Sequence, residues 1–262
     1  MSGAVAFSEW QPRLERACAA TTMFRVAHAL AETPSTQDAP ETRGAAAGTV
    51  VAAWRQTAGR GRFGRQWIEQ STAGVAVTFV IDAQRVERLA LASAVAAAEA
   101  CETALGARVG IKWPNDIVVA GRKLAGVLVE TRGDRAFVGV GINVAHERFE
   151  GELESRATSM AILGARVDRL TVLEALVAAL DRAVPAPDSA LVDAFLSRDA
   201  LRGTKALFAT PEGPVEGEVR SVDPMHGLVV RTDSGERFLP AHSTSVAEWG
   251  RQVVRPAPPR SS

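Results

Sequence analysis

The stretch KWPNDIVVAGRKLAGVLVETRGDRAFVGVGINV, residues 112–144, reads as three strand-like runs at 117–120, 124–131 and 136–144. Arg122-Lys123 looks like the turn between the first two. The last run keeps strand composition but carries Gly139 and Gly141, which points to a backbone passing close to something. The sequence Gly139-Val-Gly-Ile-Asn143 lacks the third glycine of a dinucleotide-binding turn, which excludes a Rossmann reading. Upstream, residues 86–105 are Ala-rich and free of Gly and Pro, and they predict the main buried helix. Strands are expected at 23–30, 49–55 and 75–81, and a first helix at 9–20 with Ser8 as its N-cap. The polar turn 32–38 is expected to lead into a short helix. Downstream, helices are expected at 170–183 and 189–201, parted by Pro185-Ala-Pro187. After Gly203 the texture becomes short strands at 206–209, 217–222, 228–232, 237–239 and 244–249, then a disordered tail. The fold class is α+β: a mixed sheet with helices, followed by a small C-terminal β barrel.

The chain has 262 residues, 47% hydrophobic and 23% charged, which is enough to bury a real core. Thirty basic residues balance thirty acidic ones, so no global field draws the protein to nucleic acid or a membrane. Cys18 and Cys101 have no metal-ligand or redox spacing and read as buried thiols of a reducing compartment. His28, His146, His226 and His242 show no ligand spacing either. Neither a signal peptide nor an apolar run of membrane-spanning length is present, and a cytoplasmic location is expected. Of the thirty basic residues only Lys112, Lys123 and Lys205 are lysine. Lysine that persists in so arginine-biased a sequence draws notice, because its compact ammonium does what a guanidinium cannot. Lys112 and Lys123 fall within the stretch quoted above.

Two segments carry the chemistry. Gly59-Arg-Gly-Arg-Phe-Gly-Arg-Gln-Trp67 alternates glycines with arginines, a loop that can fold over an anion and present guanidinium forks to it. Read alone it fits equally a solvated basic loop or an arginine-glycine segment holding RNA. Its place after a strand in a neutral protein turns the balance towards a lid over an anionic small molecule. Lys112-Trp-Pro-Asn-Asp116 is a rigid turn presenting Lys, Asn and Asp between two strands. Asp beside Asn can hold a hydrated Mg²⁺ shared with substrate phosphates, although Pro-Asn-Asp is also ordinary turn chemistry. Ser35-Thr36-Gln37 is a run of hydrogen-bonding groups at an expected helix start, where simple capping is the plain alternative.

Taken in order, these segments resemble the biotin–protein ligase family. The resemblance rests on Ser35-Thr36-Gln37, residues 56–67, Lys112 to Asp116, Arg122-Lys123-Leu124-Ala125-Gly126 and Gly139 to Asn143. It is strong over about 33–144 and weaker through the C-terminal barrel. It implies a mixed-sheet catalytic domain of the biotin/lipoate ligase type at 1–202, an SH3-like barrel at 203–250 and a tail at 251–262. It also implies that ATP and biotin, with Mg²⁺, form biotinyl-5'-AMP, and that biotin then passes to a lysine of a carboxylase's biotin carboxyl carrier domain. Ser35, Thr36, Gln37, Gln56, Gly59, Arg60, Gly61, Arg62, Lys123 and Gly126 would hold biotin. Arg65, Trp67, Lys112, Asn115, Asp116 and Asn143 would serve the nucleotide, with Asp116 the candidate partner of the metal. Lys123, Arg62, Asp116 and Lys112 would be catalytic, and Asp116 would also receive the acceptor lysine's proton.

The sequence departs from the family's pattern at several points. Gln37 stands for the usual Asn, Thr78 stands near an expected Ser, strand 75–79 lacks an aromatic, and Asp82-Ala83 replaces Arg-Pro. About thirty residues precede the motifs, too few for the winged helix of the repressor-type members, so no operator binding is expected. A lipoate–protein ligase is the nearest rival, disfavoured by the Gly-Arg-Gly-Arg loop. A non-catalytic RNA-binding protein is a further rival, disfavoured by the neutral charge and the absence of tyrosine. Monomer and homodimer both remain open.

Overall fold

A computed structural model describes residues 5–64, 66–67, 72–83 and 85–249. They form two compact units, Met1–Ala200 and Leu201–Ser262. In the first, helix α1 (Trp10–Ala19) leads to strands β1 (Val26–Thr33) and β2 (Thr49–Gln56). A two-stranded hairpin, β3 (Gly59–Arg60) and β4 (Gln66–Trp67), follows, then β5 (Gly74–Asp82) and the long helix α2 (Val86–Leu105). Next come β6 (Gly110–Lys112), β7 (Asp116–Val119), β8 (Arg122–Arg132) and β9 (Arg135–Asn143). Helices α3 (Leu153–Arg156), α4 (Arg169–Ala183) and α5 (Asp188–Leu196) complete the unit.

The main sheet has the order β1-β2-β5-β9-β8-β7-β6. Only β1 and β2 pair in parallel; every other neighbour is antiparallel. The central strand β5, sequence GVAVTFVID, is buried over its first eight residues, so its apolar run covers both faces. Helix α2 packs on α4, α5 and β8. Its alanines at 92, 94, 96, 97 and 98 are all buried, which lets neighbouring backbones come close. Gly106, left-handed at φ +64, ends the helix by donating its N–H to Glu102 O. Asp168 caps α4 by accepting from Thr171 N.

Arg169, the first residue of α4, joins three elements. Its guanidinium lies against both Trp10 and Trp54, 4.6 and 4.8 Å from their ring centroids. It donates to the carbonyls of Gly74, Thr72 and Trp54 at 2.6, 2.7 and 2.5 Å. Arg169→Met would leave one buried and two part-buried acceptors without this donor and remove the cation from two indoles. Urea unfolding should show a loss of about 3 kcal/mol; a loss below about 1 kcal/mol would show that the three carbonyls find other donors.

Several sequence expectations change. Ser8 makes no capping bond, and α1 starts directly after a short 3₁₀ segment at Phe7–Glu9. Residues 36–44 form successive turns instead of a helix, closed by Thr42 Oγ1 donating to Thr36 O at 2.6 Å. Ser35 therefore caps no helix; its Oγ accepts from Gln37 N at 3.3 Å within a local turn. Arg122 and Lys123 belong to β8, and the turn is Ala120-Gly121, both at positive φ (47° and 77°). Strand β6 and helix α3 were not anticipated, and α5 stops at Leu196 instead of 201.

The second unit is a five-stranded antiparallel sheet of SH3-like type. Its strands are β10 (Lys205–Thr210), β11 (Gly213–Asp223), β12 (Gly227–Thr232), β13 (Gly235–Pro240) and β14 (Ser245–Trp249). Their order is β13-β12-β11-β10-β14. The expected tail at 251–262 lies outside the described residues. Together the units make the α+β architecture expected from the sequence.

Candidate active site

One pocket gathers the motifs. Its lining includes Ser35, Thr36, Gln37, Gln56, Arg60, Gly61, Arg62, Trp67, Asn115, Lys123 and Gly126. Gly59, Lys112, Asp116 and Asn143 stand behind that lining, and Arg65 lies outside the described residues.

At one end a chain of hydroxyls orients an amide. The fully buried Thr78 donates from Oγ1 to Thr36 Oγ1 at 2.9 Å. Thr36 in turn donates from Oγ1 (3.2 Å) and from its backbone N (2.9 Å) to Gln56 Oε1. With its oxygen so occupied, Gln56 leaves its Nε2 donor over Gly59, where any Cβ would strike that nitrogen. Gln37 donates from Nε2 to Leu128 O at 3.2 Å. Its buried Oε1 has no hydrogen-bond partner among the described residues. A buried acceptor left unmet is costly, so it marks a place where a ligand's donor would be welcome.

The two glycines of β9 make room for these groups. A Cβ at Gly139 would sit 2.5 Å from Gln37 Nε2, and one at Gly141 would sit 2.5 Å from the Trp67 indole. The backbone passes close to side chains of its own chain, brought there from the 35–37 turn and the arginine-glycine hairpin. Gly141→Ala should therefore force the Trp67 ring off the sheet, with an overpacking cost of about 1–3 kcal/mol. A red-shifted tryptophan emission together with a lower urea midpoint would register it; an unchanged emission would contradict the packing described.

At the other end sits an ion triad. In the β6/β7 hairpin Lys112 pairs directly with Asp116, and their side chains meet at 2.9 Å. Lys123, reaching over from β8, meets the other oxygen of Asp116 at 2.6 Å. Lys123 can lie flat there because position 126 is glycine: a Cβ would come within 2.8 Å of both Cε and Nζ. Its ammonium is also 5.5 Å from the Trp67 ring. Burial alone would push the Asp116 carboxyl up, but Lys123 and Lys112 outweigh it and hold it down at about 2. Asp116 is thus a fixed anion between two cations, and the pair leaves a net positive charge facing the pocket.

The asparagines are anchors. Asn115 donates from Nδ2 to Val127 O and accepts from Val127 N on its backbone oxygen, fixing the turn against β8. Its Oδ1 is 3.5 Å from Arg62 Nη1. Asn143 spends its amide on Thr158 O (3.0 Å) and Lys123 O (3.4 Å), so it holds the strand that carries Lys123. The lining also includes Ala76, Val77, Val127, Leu128 and Val140. Their apolar positions on strands gave no chemical signal in the sequence. Among the described residues no group of three or more His, Cys, Asp or Glu could hold a metal ion.

Comparison with known proteins points to one family. The Biotin/lipoate A/B protein ligase family matches residues 29–146. The bifunctional ligase/repressor BirA of Bacillus subtilis is 37% identical over 162 residues, covering 57% of this chain and 47% of that protein. The chain thus spans about half the length of that relative. The biotin–[acetyl-CoA-carboxylase] ligase of Paracoccus denitrificans is 32% identical over 210 residues, covering 73% of this chain and 87% of that protein. Among solved structures, the biotin protein ligase of Aquifex aeolicus in complex with biotin and ATP superimposes with a TM-score of 0.77. It is 27% identical and matches 85% of this chain and 99% of its own. On motifs, fold and relatives alike, the chain belongs to the biotin/lipoate A/B protein ligase family, among its biotin protein ligases.

Proposed function

We propose that this protein joins biotin to ATP as biotinyl-5'-AMP and transfers the biotinyl group to a lysine of a carboxylase's biotin carboxyl carrier domain. The observation that supports this best is the pocket's two unlike ends. The unmet Gln37 oxygen and the Gln56 amide donor, both on pocket-lining residues, suit a ureido ring, which has N–H donors and a carbonyl acceptor. The Lys112–Asp116–Lys123 triad suits a carboxylate converging on a phosphate. The same observation ranks biotin above lipoate, whose dithiolane has no N–H to satisfy Gln37.

In the first step a biotin carboxylate oxygen attacks the α-phosphorus, and the bond to pyrophosphate breaks. Negative charge accumulates on the phosphoryl oxygens, where the ammonium of Lys123, with Lys112 behind it, is already placed. Arg62 would add its charge from the loop, and Trp67 would exclude water from the mixed anhydride. In the second step an unprotonated acceptor amine attacks the acyl carbon, the acyl–phosphate bond breaks as AMP leaves, and the proton shed by the nitrogen passes to the departing phosphate or to solvent. A carboxylate held at about 2 by two lysines is a poor base, so Asp116 acts in this scheme by placing the ammoniums. Arg65, which lies outside the described residues, would serve the nucleotide only as the resemblance implies, and Asn143 would serve it through its hold on Lys123. The residues do not make a metal cage: Asp116 is saturated by lysines, and Asn115 is tied to β8. Mg²⁺ would arrive as part of the MgATP substrate.

In this reading the unit Met1–Ala200 binds biotin and ATP, and the SH3-like unit follows it in the chain. No helix among the described residues is long and apolar enough to cross a membrane; the cytoplasm, where carboxylases work, is the proposed location. Incubation with biotin, MgATP and a purified biotin carboxyl carrier domain should add one biotinyl mass to one lysine. No mass gain, or a gain only with lipoate, would overturn the assignment.

A further inference from the structure

Strand β5 is apolar from Val75 to Ile81 except at Thr78, which is fully buried. A buried hydroxyl is costly unless it is hydrogen-bonded, and valine would fill nearly the same space without that cost. Thr78 Oγ1 donates to Thr36 Oγ1 at 2.9 Å. The sheet explains how the two meet. Thr78 pairs with Gly139 of β9, and paired residues present their side chains to the same face. Glycine presents none, so the 35–37 turn can settle on the sheet beside Thr78.

Thr36 is fixed on its other sides. Its carbonyl accepts from Thr42 Oγ1 at 2.6 Å. Its backbone N–H donates to Gln56 Oε1 at 2.9 Å, and within that amide only the oxygen can meet this donor. The Thr36 hydroxyl has a single proton, which also goes to Gln56 Oε1, at 3.2 Å. It is available there because Thr78 supplies the proton between the two hydroxyls. Without the Thr78 hydroxyl, Thr36 Oγ1 could turn its proton elsewhere and offer Gln56 a lone pair. That lone pair would accept from Nε2 of an amide turned over, against the sense that the backbone N–H requires.

We infer that Thr78, which stands behind the pocket's lining, is a positioning residue. Through Thr36 it keeps the oxygen of the Gln56 amide engaged, and so leaves the Nε2 donor to an acceptor on the ligand. That the ligand is biotin rests on the proposed function; the relay itself does not. Gln56 touches no reacting atom in that scheme, so losing the relay should weaken binding and spare the chemical step.

The test compares Thr78→Val, which keeps the shape and removes the hydroxyl, with Thr78→Ser, which keeps the hydroxyl and gives up a methyl group. Thr78→Val should raise the biotin KM for adenylation about fivefold, the scale of one hydrogen bond, with kcat within about twofold of the parent. Thr78→Ser should keep KM within about twofold of the parent, and Thr78→Val should add nothing in a Gln56→Ala background. A role in packing alone would put the loss in Thr78→Ser and would add to Gln56→Ala. In nitrogen–proton spectra of the protein by itself, the Gln56 side-chain amide signals are identified by their loss in Gln56→Ala. They should shift in Thr78→Val and return in Thr78→Ser. Unmoved Gln56 signals in Thr78→Val, or a KM change that survives in Gln56→Ala, would overturn the relay. If the signals shift and return as expected while the parent activates no biotin, the biotin reading falls and the relay stands.

Discussion

Lys123→Arg is expected to fold like the parent and to form adenylate at least about a hundredfold more slowly, the effect of losing one preorganised charge contact. The Lys123 ammonium is 2.6 Å from Asp116, and its stem fits only because position 126 has no side chain. A guanidinium keeps the charge but is planar and wider. Between Gly126, Asp116 and the Trp67 ring it has no place that puts a donor on the same point. Lys205→Arg, exposed at the start of β10, is the matched control and should be silent. Single-turnover adenylate formation, with thermal melting beside it, decides. Adenylation near the parent rate would move the acyl-phosphate contact from Lys123 to the arginines of the hairpin.

Asp116→Asn should be as damaging for the opposite reason: it leaves two ammoniums side by side without their anion. Adenylation should fall by about two orders of magnitude as Lys112 and Lys123 separate. Stability should fall by roughly 2 kcal/mol at pH 7, the linkage value of a carboxyl held at about 2 instead of its ordinary 3.8. A depressed carboxyl stabilises the fold above its ordinary pKa, and that contribution is lost as pH falls through the depressed value. The stability gap between parent and variant should therefore be full above about pH 5 and close between about pH 4 and pH 2. Urea unfolding along a pH series measures it. A gap that widens as pH falls would contradict the ion triad.

Much of this site could be read from residue types alone, because its chemistry needs unusual ones. Lysines that survive in an arginine-biased chain mark the triad, and glycines that interrupt a strand mark Gly139 and Gly141. Sequence did not reveal what those glycines admit, since Gln37 and Trp67 are about 100 and 75 residues away and only the sheet brings them together. Helix α2 was legible to the residue because a long Ala-rich run without Gly or Pro has no competing structure. The β7–β8 turn was misplaced because Arg-Lys looks polar, whereas the left-handed pair is Ala120-Gly121. Residues 32–38 looked like a helix entry because Ser, Thr and Asp serve turns and caps alike. The ion pairs that Arg60 and Arg132 make with Asp38 and Glu130 could not be foreseen: each residue looks like ordinary surface charge until β8 meets the 35–38 turn.

The activation step needs, on this reading, biotin and ATP but no acceptor. The direct test is exchange of labelled pyrophosphate into ATP by the protein alone, with biotin, with lipoate and with neither. Exchange is expected with biotin, little with lipoate, and none without an acid. Exchange that requires the carrier domain, or that lipoate supports better than biotin, would contradict it.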